Sequence, residues 1–138
     1  MFATLYYFDT VKMGNMLENH FNRRNHVANA SGVVILAKVI NDKASQTLRD
    51  AVEAEFKGIK IGKTNTRELT SKHGFTSIAP NSYLAFAPDA ERTAYISICT
   101  EGGQIIIQNY PVHENRSVIV NSEGYLREAE YGTIWTER

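Results

Sequence analysis

The apolar positions change rhythm partway along the chain. Residues 2–8, "FATLYYF", are aromatic and β-favouring and predict a strand. Asp9 and Thr10 can cap a helix running to about Val27. Its apolar positions, Met13, Met16, Leu17, Phe21 and Val27, fall roughly at helical spacing. After a break at 29–32, "VVILAKVI" (33–40) is a nearly continuous apolar run, the texture of a strand covered on both faces. Asn41-Asp42 opens a second helix over 42–57, in which Ala44, Leu48, Val52 and Phe56 recur every four residues and Gly58 is the expected stop. A short third helix is predicted where Asn65 and Glu68 stand at capping-box spacing, with Gly74 ending it.

From Phe75 the texture becomes β. "RTAYISICT", "QIIIQNY", "SVIVN" and "YLREAEYGTIW" are separated by Glu101-Gly102-Gly103, by 113–116 and by Ser122-Glu123-Gly124. Short polar breaks between β runs predict antiparallel hairpins. The expected fold is α+β: an N-terminal βαβα half followed by an antiparallel β-meander, in one domain spanning 1–138.

Composition narrows the function classes. The 138 residues carry fifteen Lys and Arg against fifteen Asp and Glu. A neutral chain is not globally attracted to nucleic acid or membranes, so any charged function must arise from local clustering. One cysteine, Cys99, sits in the alternating run "YISICT" and reads as a small buried hydrophobe. A single cysteine forms no internal disulfide, which fits a reducing compartment. "MFATLYYFDT" lacks the basic start and long apolar run of a secretion signal, and no stretch approaches ~20 apolar residues. The expected location is the cytoplasm, with no membrane partner.

"GIKIGKTNTREL" (58–69) contains Gly62-Lys63-Thr64, the end of a phosphate-binding loop. That motif needs Gly, four residues, then Gly-Lys-Ser/Thr. Here three residues separate Gly58 from Gly62, and a helix precedes the loop where a strand is required. The expectation is a strand, a turn and a helix start, with no nucleotide and no other cofactor. The same stretch concentrates charge: Lys57, Lys60, Lys63, Arg67 and Lys72 lie close together with Glu68 as the one acid among them. Such a cluster can meet phosphates or an acidic protein surface. Arg23 and Arg24, at the end of the first predicted helix, complement its dipole and form a secondary basic patch. Histidines 20, 26, 73 and 113 show no ligand spacing, so no metal site is expected, and no catalytic set can be assembled.

Two resemblances rest on short stretches. "NTRELTSKHGFTSIAPNSYLAF" resembles the helix-turn-helix of winged-helix repressors through Thr66, Arg67, Glu68, Leu69, Gly74 and Phe75. It implies a recognition helix starting near Pro80 and carrying Asn81, Ser82 and Tyr83, within a DNA-binding unit of about residues 42–110. The turn after Gly74 is about two residues longer than that pattern, and His73 stands where an apolar residue is usual. Ser77 together with Glu128 and Glu130 resembles the Ser/Thr strand and Glu-x-Glu pair of ADP-ribosyltransferases, although "FATLYYF" lacks that family's early Arg or His. Adjacent aromatics such as "YYF" point to opposite faces of a strand and favour self-association, most simply a homodimer. The leading expectation is a non-enzymatic accessory or inhibitor protein that binds a larger protein partner through the basic segment. A DNA-binding regulator and a small transferase are the alternatives.

Overall fold

The computed structural model describes residues 5–7, 25–41, 45–86, 93–130 and 133–138. In chain order the elements are β1 (Leu5–Tyr7), β2 (Asn25–Asn29), β3 (Ile35–Ile40), α1 (Ser45–Lys60), α2 (Thr66–Lys72), β4 (Thr76–Ile78) and β5 (Ser82–Phe86). There follow β6 (Thr93–Thr100), β7 (Ile105–His113), β8 (Arg116–Val120), β9 (Leu126–Glu130) and a short 3-10 helix, Ile134–Glu137. The class is α+β. One sheet has the order β1-β5-β2-β8-β9 and the other β4-β3-β6-β7.

Strand alternation builds the layers. On β3, Ile35, Ala37 and Val39 face one way and Leu36 and Ile40 the other. The first set meets Val27, Leu84, Phe86, Val118 and Val120 from the five-stranded sheet, forming the core between the sheets. The second set lies under the helices with Val52, Phe56, Leu69, Phe75 and Cys99. A third cluster, Ala28, Tyr83, Ala85 and Ile119 with Ile134 and Trp135, occupies the outer face of the five-stranded sheet. Each fully buried aliphatic side chain contributes about 1.5–3 kcal/mol, so the doubly covered run at β3 is a major anchor. The expected two-sided burial of "VVILAKVI" is realised over Ile35–Ile40, one face against a sheet and one against helices, while Val33 is exposed.

Asparagines join the layers where apolar contacts cannot. Buried Asn29 donates from Nδ2 to the carbonyls of Val33 (2.8 Å) and Ile78 (3.0 Å), and its Oδ1 accepts from the N–H (3.0 Å) and hydroxyl (2.6 Å) of Ser31. This links a strand of one sheet to an edge of the other. Asn25 donates to the carbonyls of His113 and Arg116, holding the passage from β7 to β8.

Several expectations are corrected. The first predicted helix cannot run to Val27, because Asn25–Asn29 is a strand between β5 and β8. Val27 and Ala28 are both fully buried, one on each face of the sheet. Residues 10–24 of that expectation lie outside the described residues. The βαβα order is not confirmed: among the described residues β2 leads directly to β3, and both described helices follow before β4. The meander is two hairpins, β6–β7 and β8–β9, in different sheets. The helix expected from near Pro80 is β5 instead. Ser82–Phe86 is buried along its whole length and paired on both sides, which leaves no recognition helix.

Helix α1 passes Gly58 and ends at Lys60. Gly58 is buried, and a Cβ there would fall 2.3 Å from Thr64 Oγ1. The stop is Gly62 (φ +77), in the left-handed region that closes a helix end. Helix α2 starts as expected, with Asn65 Oδ1 accepting from the Glu68 N–H at 3.1 Å.

Candidate functional site

The opening of "GKT" is settled by its hydrogen bonds. The Gly62 N–H donates to Ile59 O at 3.2 Å, and the N–H groups of Lys63 and Thr64 donate to Gly58 O at 2.7 and 3.0 Å. A phosphate cradle needs free N–H groups at a helix N-terminus. Here the same groups are spent on the carbonyls of a helix C-terminus, whose partial charge is negative. The motif is a helix C-cap.

The turn nevertheless presents charge. Lys57, Lys60, Lys63, Arg67 and Lys72 are all exposed. Lys57 pairs with Glu53 at 3.6 Å, and the other four form no ion pair with a described residue. They do not form one stripe. Arg67 and Lys72, five positions apart on α2, point about 140° away from each other. Lys57 and Lys60 share a side of α1. Ile61, 66% exposed, sits at the tip between Lys60 and Lys63. The other basic patch, Arg23 and Arg24, lies outside the described residues.

Arg67 faces a groove. With a volume of about 450 Å³, the groove is lined by Leu36 of β3, Thr66, Arg67 and Thr70 of α2, Ser77 of β4 and Glu101 of the β6–β7 turn. It lies where the seven-residue α2 meets β3, β4 and the β6–β7 turn. Leu36 and Ser77 are register partners, so both side chains rise on the helix side and form the floor. Two hydroxyls are already committed: Thr66 Oγ1 donates to Glu101 O at 2.7 Å and Thr70 Oγ1 to Arg67 O at 3.0 Å. Their oxygens are left to accept. Arg67 and Glu101 share the groove without pairing to each other or to another described residue. Comparison with family models, curated proteins and solved structures returns no match. The groove and the cations around it thus rest on geometry alone.

Behind the groove, His73 caps α2 and its Nδ1 lies 3.0 Å from Glu55 Oε1 of α1. Burial pushes the Glu55 carboxyl above its ordinary value, and the nearby His73 and Lys38 charges offset this in part. This contact explains a polar residue at 73, since it locks the two helices to each other.

The remaining candidates fall elsewhere. Glu128 of β9 accepts from Tyr110 Oη (2.5 Å) on β7 and from Arg116 Nε (2.8 Å) on β8. Ser77 is on β4, at the opposite edge of the sheet from β7, three strand spacings or roughly 14 Å away. Ser77 and Glu128 therefore do not share a site, and Glu128 is held in a structural clip. Cys99 is buried, and desolvation pushes its thiol up to about 12, far from a reactive thiolate. Among the described residues, no group of three or more His, Cys, Asp or Glu is placed to hold a metal. Nor is any described helix long and apolar enough to cross a membrane.

Sequence reasoning found Arg67 but missed Leu36, Thr70 and Glu101, and it cited Thr66 and Ser77 for other roles. No local signal marks the groove, because four separate segments meet there.

Proposed function

We propose that this chain is a non-enzymatic accessory or inhibitor protein that binds a larger protein partner through the α1–α2 corner. The observation carrying this reading is that Lys60 and Lys63 flank an exposed isoleucine and Arg67 lines an open polar groove nearby, all three exposed and without an ion-pair partner among the described residues. Unpaired cations beside an apolar tip complement an acidic surface with an apolar centre. The groove argues for protein over nucleic acid. Arg67 can meet either anion, but the Glu101 carboxylate and the two committed threonine oxygens call for donors, which a phosphodiester lacks and a peptide backbone supplies.

Self-association into a homodimer belongs to the same reading. Its support is the apolar surface at Val33 (52% exposed) and Tyr125 (59%), not the sheet edges. Strands β1 and β4 are three residues long, and β9 carries Arg127, Glu128 and Glu130. Strand β7 is broken by two register shifts and Pro111. Such features discourage edge-to-edge pairing.

The test is capture from the source cell with tagged protein, followed by mass spectrometry. Wild type retains a defined protein species that is released by about 0.5 M salt, as screening requires. Reversing Lys60 and Lys63 to Glu loses it while the domain stays folded. Retention of nucleic acid in place of protein would overturn the reading.

A further inference from the structure

We propose that the groove between α2 and β4 is a peptide slot that seats an Asp or Glu side chain of an extended partner segment on Arg67. The inference rests on the partner-binding reading above and names the chemistry of its contact.

The donors and acceptors define the ligand. Arg67 supplies a planar guanidinium with no competing ion pair among the described residues, and a carboxylate can take two of its N–H groups side by side. The groove also holds acceptors: the Glu101 carboxylate on the β6–β7 turn and, beside Arg67 on α2, the oxygens of Thr66 and Thr70, whose protons already point at backbone carbonyls. An occupant must therefore bring one negative group and several N–H donors within a few ångströms. A peptide backbone with one acidic side chain does so. A phosphodiester lacks the donors that Glu101 and the threonine oxygens take, whereas a peptide offsets the repulsion between its own carboxylate and Glu101 with its backbone N–H groups.

Shape agrees with chemistry. The floor is Leu36, 3% exposed, with Ser77 beside it. A buried leucine under polar walls suits the aliphatic part of a side chain whose charged end reaches the rim. At the Glu101 end the loop carrying exposed Val33 adjoins, because the Glu101 N–H donates to Val34 O at 3.0 Å. A segment leaving the groove there meets an apolar contact. Arg67 would set specificity by charge and fork geometry, and the lysines of the corner would add attraction without selecting a residue.

A random peptide library displayed on phage, selected against the full chain, tests this. Peptides enriched by wild type share one Asp or Glu position, and replacing that residue by Ala weakens binding about tenfold to a hundredfold. Arg67→Ala causes a similar loss. Arg67→Lys, which keeps the charge but not the fork, falls between. Arg67→Glu selects peptides with Lys or Arg at the same position. Peptides that bind Arg67→Ala as well as wild type, or no enrichment at all, overturn the slot. If binding is lost on reversing Lys60 and Lys63 but not on changing Arg67, the corner reading stands and the slot falls. Arg67 is exposed, so circular dichroism of each variant should match wild type.

Discussion

Tyr110 Oη lies 2.5 Å from Glu128 Oε2, joining the edge strand of one sheet to the edge strand of the other. Arg116 completes the clip from 2.8 Å. Burial pushes the Glu128 carboxyl up, but the hydrogen bonds from Tyr110 and Arg116 outweigh it, so its pKa is lowered. The bond to Glu128 raises the Tyr110 hydroxyl.

The clip therefore has a pH window. A lowered carboxyl contributes stability that is complete above its unfolded value near 4.5 and is lost as pH falls through the folded value. The raised phenol contributes stability that is complete below its unfolded value near 10 and is lost as pH rises through the folded value. Tyr110→Phe should cost about 1–2 kcal/mol at neutral pH, and the deficit should shrink progressively as pH falls below 4.5, read by urea melts. An equal deficit at every pH would dissociate the bond from Glu128 ionisation.

Glu55 predicts the opposite slope. Its folded value is raised, so it favours folding below the unfolded value near 4.5, and that contribution is lost as pH rises through the folded value. One oxygen, Oε2, is buried without a hydrogen bond from a described residue. Glu55→Gln keeps a side-chain oxygen toward His73 without the buried charge. It should be neutral or stabilising at pH 7, on the order of 1 kcal/mol or less, with the difference shrinking toward pH 4. A large loss at pH 7 would mean that the His73 attraction outweighs burial.

Asn29 is expected to be among the most sensitive polar positions. Truncation to Ala orphans the Ile78 carbonyl and frees the Ser31 turn, costing roughly 2–4 kcal/mol. Asn29→Asp should be at least as damaging, because a carboxylate would face two carbonyl oxygens. Chemical denaturation of both variants decides this.

Gly58 and Lys63 separate the two interpretations of the glycine-lysine stretch. Gly58→Ala must displace Thr64 and should cost about 1–3 kcal/mol. Lys63→Ala should change stability by less than ~0.5 kcal/mol. Calorimetry with ATP or GTP and Mg²⁺ should give no saturable heat for wild type. Saturable binding that vanishes in Lys63→Ala would restore the phosphate loop.

The proposed homodimer has a simple readout. Light scattering should give twice the 15.5 kDa chain mass at micromolar concentration. A mass equal to one chain at every concentration removes self-association and leaves the partner corner untouched.

Elements whose pattern is decided locally were legible. The runs at 33–40, 92–100, 104–110 and 117–121 are strands within a few residues, and Asn65 caps α2 as its spacing foretold. Failures occurred where tertiary contacts override local texture. "NHVAN" is strand because Asn25 and Asn29 find partners far along the chain, which no local rule reveals. "SYLAF" fits a helix start or a strand equally, and pairing with β1 and β2 decides it. The site was half visible: the charge at 57–72 could be read off, but the Leu36 floor and the Glu101 wall come together only in the folded chain.

The parallel pairing of β2 with β8 imposes an order of events. His26 bonds to Ser117 across 91 positions, and Val27, Ala28 and Asn29 lie beside Val118, Ile119 and Val120. On a ribosome, β2 can pair with β5 once residue 86 is made, but its other neighbour, β8, begins only at Arg116. The β6–β7 hairpin can form as soon as it emerges, while the five-stranded sheet closes last. Until then one edge of β2 stays open on a strand with a buried-type sequence. A nascent chain stalled shortly before Arg116 should be the form most readily bound by chaperones and most readily cut by proteases.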